Sequence, residues 1–178
     1  MSLVVAMLVA LSIFTAVLMC IVVYNDLVAL RRRCDHARSD IDAQLKQRFG
    51  LVPNLVEAVK GHAAFEQSAL EAVTKAHNAV TAAPTSEAGA LAQTLLGAAL
   101  GRLIAVAHAY PELKTSDNFV ELSDLENEIA AARLYLNDAV GEFNTAIARF
   151  PSNLLAGLFG LTARSSANDR GGNPTVKF

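Results

Sequence analysis

The chain has 178 residues, of which 53% are hydrophobic and 18% charged, with a net charge of −2 at neutral pH. Disorder throughout is excluded, because it requires low hydrophobicity and high net charge, and the charge balance supplies no basic field of the kind that binds nucleic acid. With 2 Cys there is no disulfide framework, and the length allows one domain plus an anchor.

No side chain before Asp26 is charged, and from Leu3 to Val23 only Ser12, Thr15 and Cys20 interrupt a run of aliphatic residues, Met and Phe. About 20 such residues cross the hydrocarbon core as a helix, and Tyr24 stands where an interfacial aromatic belongs. A cleaved signal peptide calls for a basic leading region and a small-residue cleavage site. A lipoprotein signal calls for a small residue before its Cys, but Met19 precedes Cys20. Residues 1–25 are therefore expected to form a retained transmembrane helix. Arg31, Arg32, Arg33 and Arg38 all follow it, which predicts an outside N-terminus and a cytoplasmic remainder. Cys34 is then a thiol in a reducing compartment.

Beyond the anchor, apolar residues recur at helical spacing. The first stripe, Leu27, Leu30, Cys34, Ala37, Ile41 and Leu45, continues the spanning helix. Gly50 is expected to cap it and Pro53 to open the next helix. A second stripe runs through Val56, Val59, Ala63, Leu70, Val73 and Val80. After Pro84, Thr85 or Ser86 can cap a third helix with Leu91, Leu95, Leu100, Leu103 and Val106. Tyr110-Pro111 ends that helix. A fourth stripe reads Leu122, Leu125, Ile129, Ala132, Leu136, Val140, Phe143, Ile147 and Phe150, up to Pro151. No period-two alternation argues for a strand. The reading is all-α: a transmembrane helix continuing into an antiparallel up-down four-helix bundle over 26–150. The turns near Gly50 and Tyr110 should lie at its distal end, and the turn at Pro84 near the bilayer.

Residues 151–161 read as a short amphipathic helix whose Leu154, Leu155, Leu158, Phe159 and Leu161 either close the bottom of the bundle or form a foot in contact with the membrane or another copy. Residues 162–178 read as a flexible tail. Its last residues, Pro174, Val176 and Phe178, form a candidate docking motif. In an extended peptide Val176 and Phe178 would share one face.

Three blocks in this chain are similar to hallmarks of a known family. They are LVPNLVEAVKGHAAFEQSALEAVTKA; GRLIAVAHAYPELK followed by NF; and NDAV and FN ahead of RFPSNLLAGLFG. Together with the Pro-Thr-Val-Lys-Phe end, they resemble the LemA family of bacterial membrane proteins, in order and over nearly the whole chain. The resemblance implies an N-terminal transmembrane helix in the bacterial inner membrane, a cytoplasmic four-helix bundle and no established catalytic activity. The segment between Phe119 and Glu126 is about one helical turn shorter than the family pattern. Arg133, Leu134, Tyr135 and Leu136 replace the usual two arginines and paired aromatics.

Chemistry in helical bundles commonly shows as Glu-x-x-His pairs binding two metals, and none occurs here. His62 and Glu66, four apart, could supply two ligands, but an exposed pair on an amphipathic helix is the plainer reading. Zinc-protease, phosphate-loop and nucleophile-elbow motifs are also missing. The sequence thus predicts no enzyme, no metal and no cofactor. Arg133, Asn137 and Asn144 share one side of the fourth helix and are expected to fix register through hydrogen bonds. Pro53, Asn54, Tyr110, Pro111 and Glu112 are expected to meet at the distal end as a partner surface. The favoured function is a membrane-anchored scaffold, homo-oligomeric and able to assemble with other membrane proteins. The alternative is a membrane-tethered bundle that senses a small ligand bound between its helices.

Overall fold

The computed structural model describes residues 2–60 and 67–166. Helix α1 runs without interruption over Ser2–Lys60, about 88 Å at 1.5 Å per residue. Its first third is apolar on every side and exposed, with Leu3, Leu8, Phe14 and Val22 all uncovered. This segment is long and apolar enough to cross a membrane. From Leu27 onward one stripe alone is buried: Leu27, Cys34, Ala37, Ile41, Arg48, Val52, Leu55 and Val59. The change from an all-round apolar surface to a one-sided stripe marks where solvent changes from lipid-like to aqueous.

The expected break at Gly50 and Pro53 does not occur, since both residues lie inside α1. A proline inside a helix costs about 3 kcal/mol, because its ring displaces a backbone hydrogen bond. Val52, Leu55 and Val59, which flank it, are each at most 2% exposed. Burying each of them contributes roughly 1.5–3 kcal/mol, which outweighs the proline. Pro53 itself faces solvent, where water can satisfy the carbonyl it leaves unpaired.

Helix α2 spans Gln67–Ala82 and α3 spans Ser86–Ala107. Thr85 caps α3, its hydroxyl accepting from the Ala88 amide at 3.1 Å. Tyr110 precedes α4, Pro111–Lys114, with Pro111 in its first turn. Helix α5, Asp117–Ala148, is followed by α6, Ser152–Leu158. All of these elements are helical, and no strand is found among the described residues.

Helix α1 packs chiefly on α5, and α2 chiefly on α3. Arg33 pairs with Glu142 and Arg48 with Glu126, so α1 meets successively earlier parts of α5 as it leaves its apolar segment. The core has two parts. Val52, Leu55, Val73, Leu96, Leu100, Leu103, Leu113 and Leu122 join all four long helices. Cys34, Ala37, Ile41, Leu136, Val140 and Phe143 join only α1 and α5, and Leu161 packs against them.

This division corrects the expected place of the Pro84 turn. Gln93 lies against Arg48, and Ser86 begins α3 only about 10 Å earlier along its axis. The turn is therefore roughly level with Ile41, well short of Asp26. Helices α2 and α3 have 16 and 22 residues against 32 in α5, too few to reach the end of the longer pair. The region they leave uncovered is filled by α6 and the chain that follows it.

Candidate functional site

Among the described residues the most buried charge is Arg48, whose side chain is 1% exposed. It stands in the apolar stripe of α1, between Ile41 and Val52. Its Nη1 donates to Glu126 Oε1 at 3.2 Å and Oε2 at 3.4 Å on α5. Its Nη2 donates to Gln93 Oε1 at 2.6 Å and to the Gln93 carbonyl at 3.0 Å on α3. One guanidinium thus joins three helices with charge-assisted bonds. Burial pulls the Arg48 guanidinium below its ordinary value, and Glu126 pushes it back up. Gly97 makes room for the group, since a Cβ there would stand 3.0 Å from Nη1.

A second polar arrangement holds the chain after α6. The Asn144 amide donates from Nδ2 to the Arg164 carbonyl and accepts from the Arg164 amide at Oδ1, both at 2.9 Å. One side chain therefore satisfies both backbone groups of Arg164, as a neighbouring strand would. The Arg164 guanidinium pairs with Asp35 on α1 and sits 5.8 Å from the Phe143 ring centroid, within cation–π range. Arg38 reaches the Ser165 carbonyl at 3.4 Å. The hydrogen bond from Arg164 holds Asp35 below the usual carboxylate range. Burial under this strap pushes the Cys34 thiol up, opposed by Arg164. The flexible tail expected from Thr162 is thus pinned across both long helices through Ser165.

Gly160 sets the direction of the strap. At φ +63° it occupies the left-handed region that glycine reaches without a Cβ penalty. The Leu161 amide donates to the Ala156 carbonyl at 2.8 Å, which closes α6 in a Schellman motif. The chain reverses there, turning Leu161 inward.

The residues expected to form the foot divide into two groups. Leu154, Leu158 and Phe159 are exposed, together with Phe150. Leu155 is half-buried, and Leu161 packs on the α1–α5 core. The Phe159 ring lies 4.6 Å from that of Tyr24. Of the expected distal surface, Pro53 and Asn54 are exposed positions within α1, not residues of a turn. Tyr110 packs against the upper core, while Pro111 and Glu112 form the exposed first turn of α4. Pro174, Val176 and Phe178 lie outside the described residues, as do His62 and Glu66. Asn144, expected to fix helix register, instead bonds the backbone of Arg164 in the strap. On the outer side of α1 and α5, Gln47, Asp117, Glu121, Asp124 and Glu128 line an open acidic groove.

The sequence reading passed over Arg48 and Arg164. Arg48 had a legible signal, because it falls three residues after Leu45 and four before Val52. A charge at a core position of an apolar stripe demands a buried partner.

These features define an all-helical, membrane-associated protein whose long apolar helix continues directly into a packed core. The profile of the LemA family matches residues 37–178, and the chain belongs to that family. It is similar to magnetosome protein MamQ of Magnetospirillum gryphiswaldense, at 29% identity over a match covering 77% of this chain. Magnetosome protein MamQ 2 of Paramagnetospirillum magneticum is 27% identical over the same share. The alignment spans 61% of the length of each of these relatives.

Proposed function

We propose that the protein is a single-pass, membrane-anchored scaffold that assembles with copies of itself and carries no catalytic activity. In this reading α1, α2, α3 and α5 form an up-and-down antiparallel bundle on the cytoplasmic side of the bacterial inner membrane. The contacts of Arg48 with α3 and α5 support that arrangement, and the arginines after the apolar segment support the orientation.

The observation that carries the scaffold reading is where the apolar side chains lie. The buried Arg48 is engaged by half-buried Gln93 and Glu126, which suits a fixed core better than a ligand chamber. Meanwhile Leu91 and Leu95, one turn apart on α3, are 49% and 62% exposed. Leu134 and Tyr135 on α5 are also uncovered. Large apolar side chains grouped outside a folded core mark association surfaces. Replacing both α3 residues, Leu91→Glu with Leu95→Glu, is expected to lower the assembly mass of the detergent-solubilised protein while its helicity is kept. An unchanged mass by light scattering rejects self-assembly through this face.

Orientation has its own test. Thr115, exposed in the turn after α4, is replaced by Cys in a Cys20→Ser, Cys34→Ala background. A membrane-impermeant thiol reagent is expected to leave intact cells unlabelled at this position and to label it after lysis. Labelling of intact cells reverses the orientation.

A further inference from the structure

We infer that α6 and the two phenylalanines flanking it form a second membrane contact, lying in the headgroup region beside the point where α1 emerges. The inference rests on the reading of α1's apolar segment as a membrane span, and it adds a surface outside that segment.

Three observations place it there. First, Tyr24 directly follows the uncharged run, so its ring marks the level of the polar–apolar boundary. Phe159 is in ring contact with it, which sets α6 at the same level and not farther along the bundle. Second, the apolar residues of this segment point away from the protein: Phe150 is 79% exposed, Leu158 76% and Leu154 65%. The inward side is already used, because Ala156 is buried and Leu161 closes on the core. Third, the charge suits an anionic lipid surface. Between Glu142 and Asp169 the sequence has no acidic residue and carries Arg149, while Arg164 is already paired with Asp35. Arg31, Arg32 and Arg33 follow about 10–14 Å beyond Tyr24 along α1. Apolar anchors with basic neighbours are the pattern of helices that lie in the interface.

The strap gives this contact its rigidity. Asn144 and Asp35 hold Arg164 to α5 and α1, and the Schellman turn at Gly160 ties the strap to α6. The foot is therefore fixed to the helix pair and does not dangle from it.

The chain has no Trp, so a single introduced Trp is a reporter without background. Three full-length variants, Tyr24→Trp, Leu158→Trp and, at the exposed turn after α4, Thr115→Trp, are reconstituted in phosphatidylcholine vesicles with a minority of phosphatidylglycerol. The lipids carry a doxyl quencher high on the acyl chain. Tyr24→Trp and Leu158→Trp are expected to emit to the blue and to lose most of their intensity, whereas Thr115→Trp emits as in water and keeps it. If Tyr24→Trp is quenched and Leu158→Trp is not, the foot proposal is overturned while the spanning helix stands. Blue-shifted but unquenched emission from Leu158→Trp also overturns it, because protein then covers the surface. Failure of both reporters removes the spanning reading and the foot proposal with it. Circular dichroism of each variant establishes that the helices have formed before quenching is read.

Discussion

Glu126→Ala is expected to destabilise the folded chain by about 1.5–3 kcal/mol, the usual worth of hydrogen bonds to a charged group, short of the cost for a wholly buried pair because Glu126 is 24% exposed. The Arg48 side chain is 1% exposed, and Glu126 stands between it and solvent at 24% exposed. Its bonds to Gln93 would remain, but neither Gln93 oxygen carries a full charge. The double replacement Arg48→Met with Glu126→Leu is expected to recover most of the loss, since an apolar pair of similar volume needs no desolvated charge. Gly97→Ala gives an independent arm. Alanine in place of glycine inside a helix ordinarily gains about 0.5–1 kcal/mol. At Gly97 the new methyl would press on Arg48 Nη1, so the gain should vanish or reverse. At Gly101, with no atom within 4 Å of the added Cβ, the gain should appear. Urea unfolding of detergent-solubilised protein, followed by helicity, measures all four. A cost below about 1 kcal/mol for Glu126→Ala would mean that water already solvates Arg48, and the clamp account would fail.

Asn144→Ala is expected to release the strap without unfolding the long helices. It removes both hydrogen bonds to the Arg164 backbone, a loss of about 1–3 kcal/mol when the abandoned groups are partly buried. Local opening should rise roughly 10- to 100-fold. Faster tryptic cleavage at Arg164 and faster alkylation of Cys34, which the strap helps to cover, are the two readouts. Unchanged rates at both sites would show that Leu161 and Arg164 hold the strap by themselves.

The same strap has a pH dependence with a definite sign. Asp35 is held below its ordinary carboxylate value by Arg164. Its contribution is thus complete above the unfolded carboxylate pKa, about 3.9, and is lost as pH falls through the lower folded value. Asp35 is more than half exposed, so screening keeps the effect small. Acid should therefore weaken the strap only slightly, and only below the ordinary carboxylate range.

Much of this fold can be read directly from residue order. Leu27, Cys34, Ala37 and Ile41 keep a core stripe after the apolar run, and the structure buries all four. Pro111 and Pro151 punctuate the chain where expected, because tertiary contacts do not override them. Pro53 differs only in context, with Val52, Leu55 and Val59 packed on both sides of it. In α3 the leucine stripe through Leu91 and Leu95 led outward. The buried row is Ala92, Leu96, Ala99, Leu100, Leu103 and Ala107. A helix rich in both alanine and leucine offers apolar residues on every side, so periodicity alone does not choose its face. The strap was illegible for another reason: Thr162 to Ser166 are small or polar, and their order comes from Asn144, Phe143 and Asp35, far away in sequence.

The unbroken course of α1 through Pro53 makes the molecule a stiff lever. From Asp26 to Lys60 the arm is about 52 Å long at the helical rise, with no hinge along it. A tilt of roughly 20°, ordinary for a membrane helix, would swing the far tip sideways by about 18 Å. A change of bilayer thickness that alters the tilt would thus be amplified into displacement at the opposite end. A broken helix at Gly50 would have absorbed the same motion in a joint.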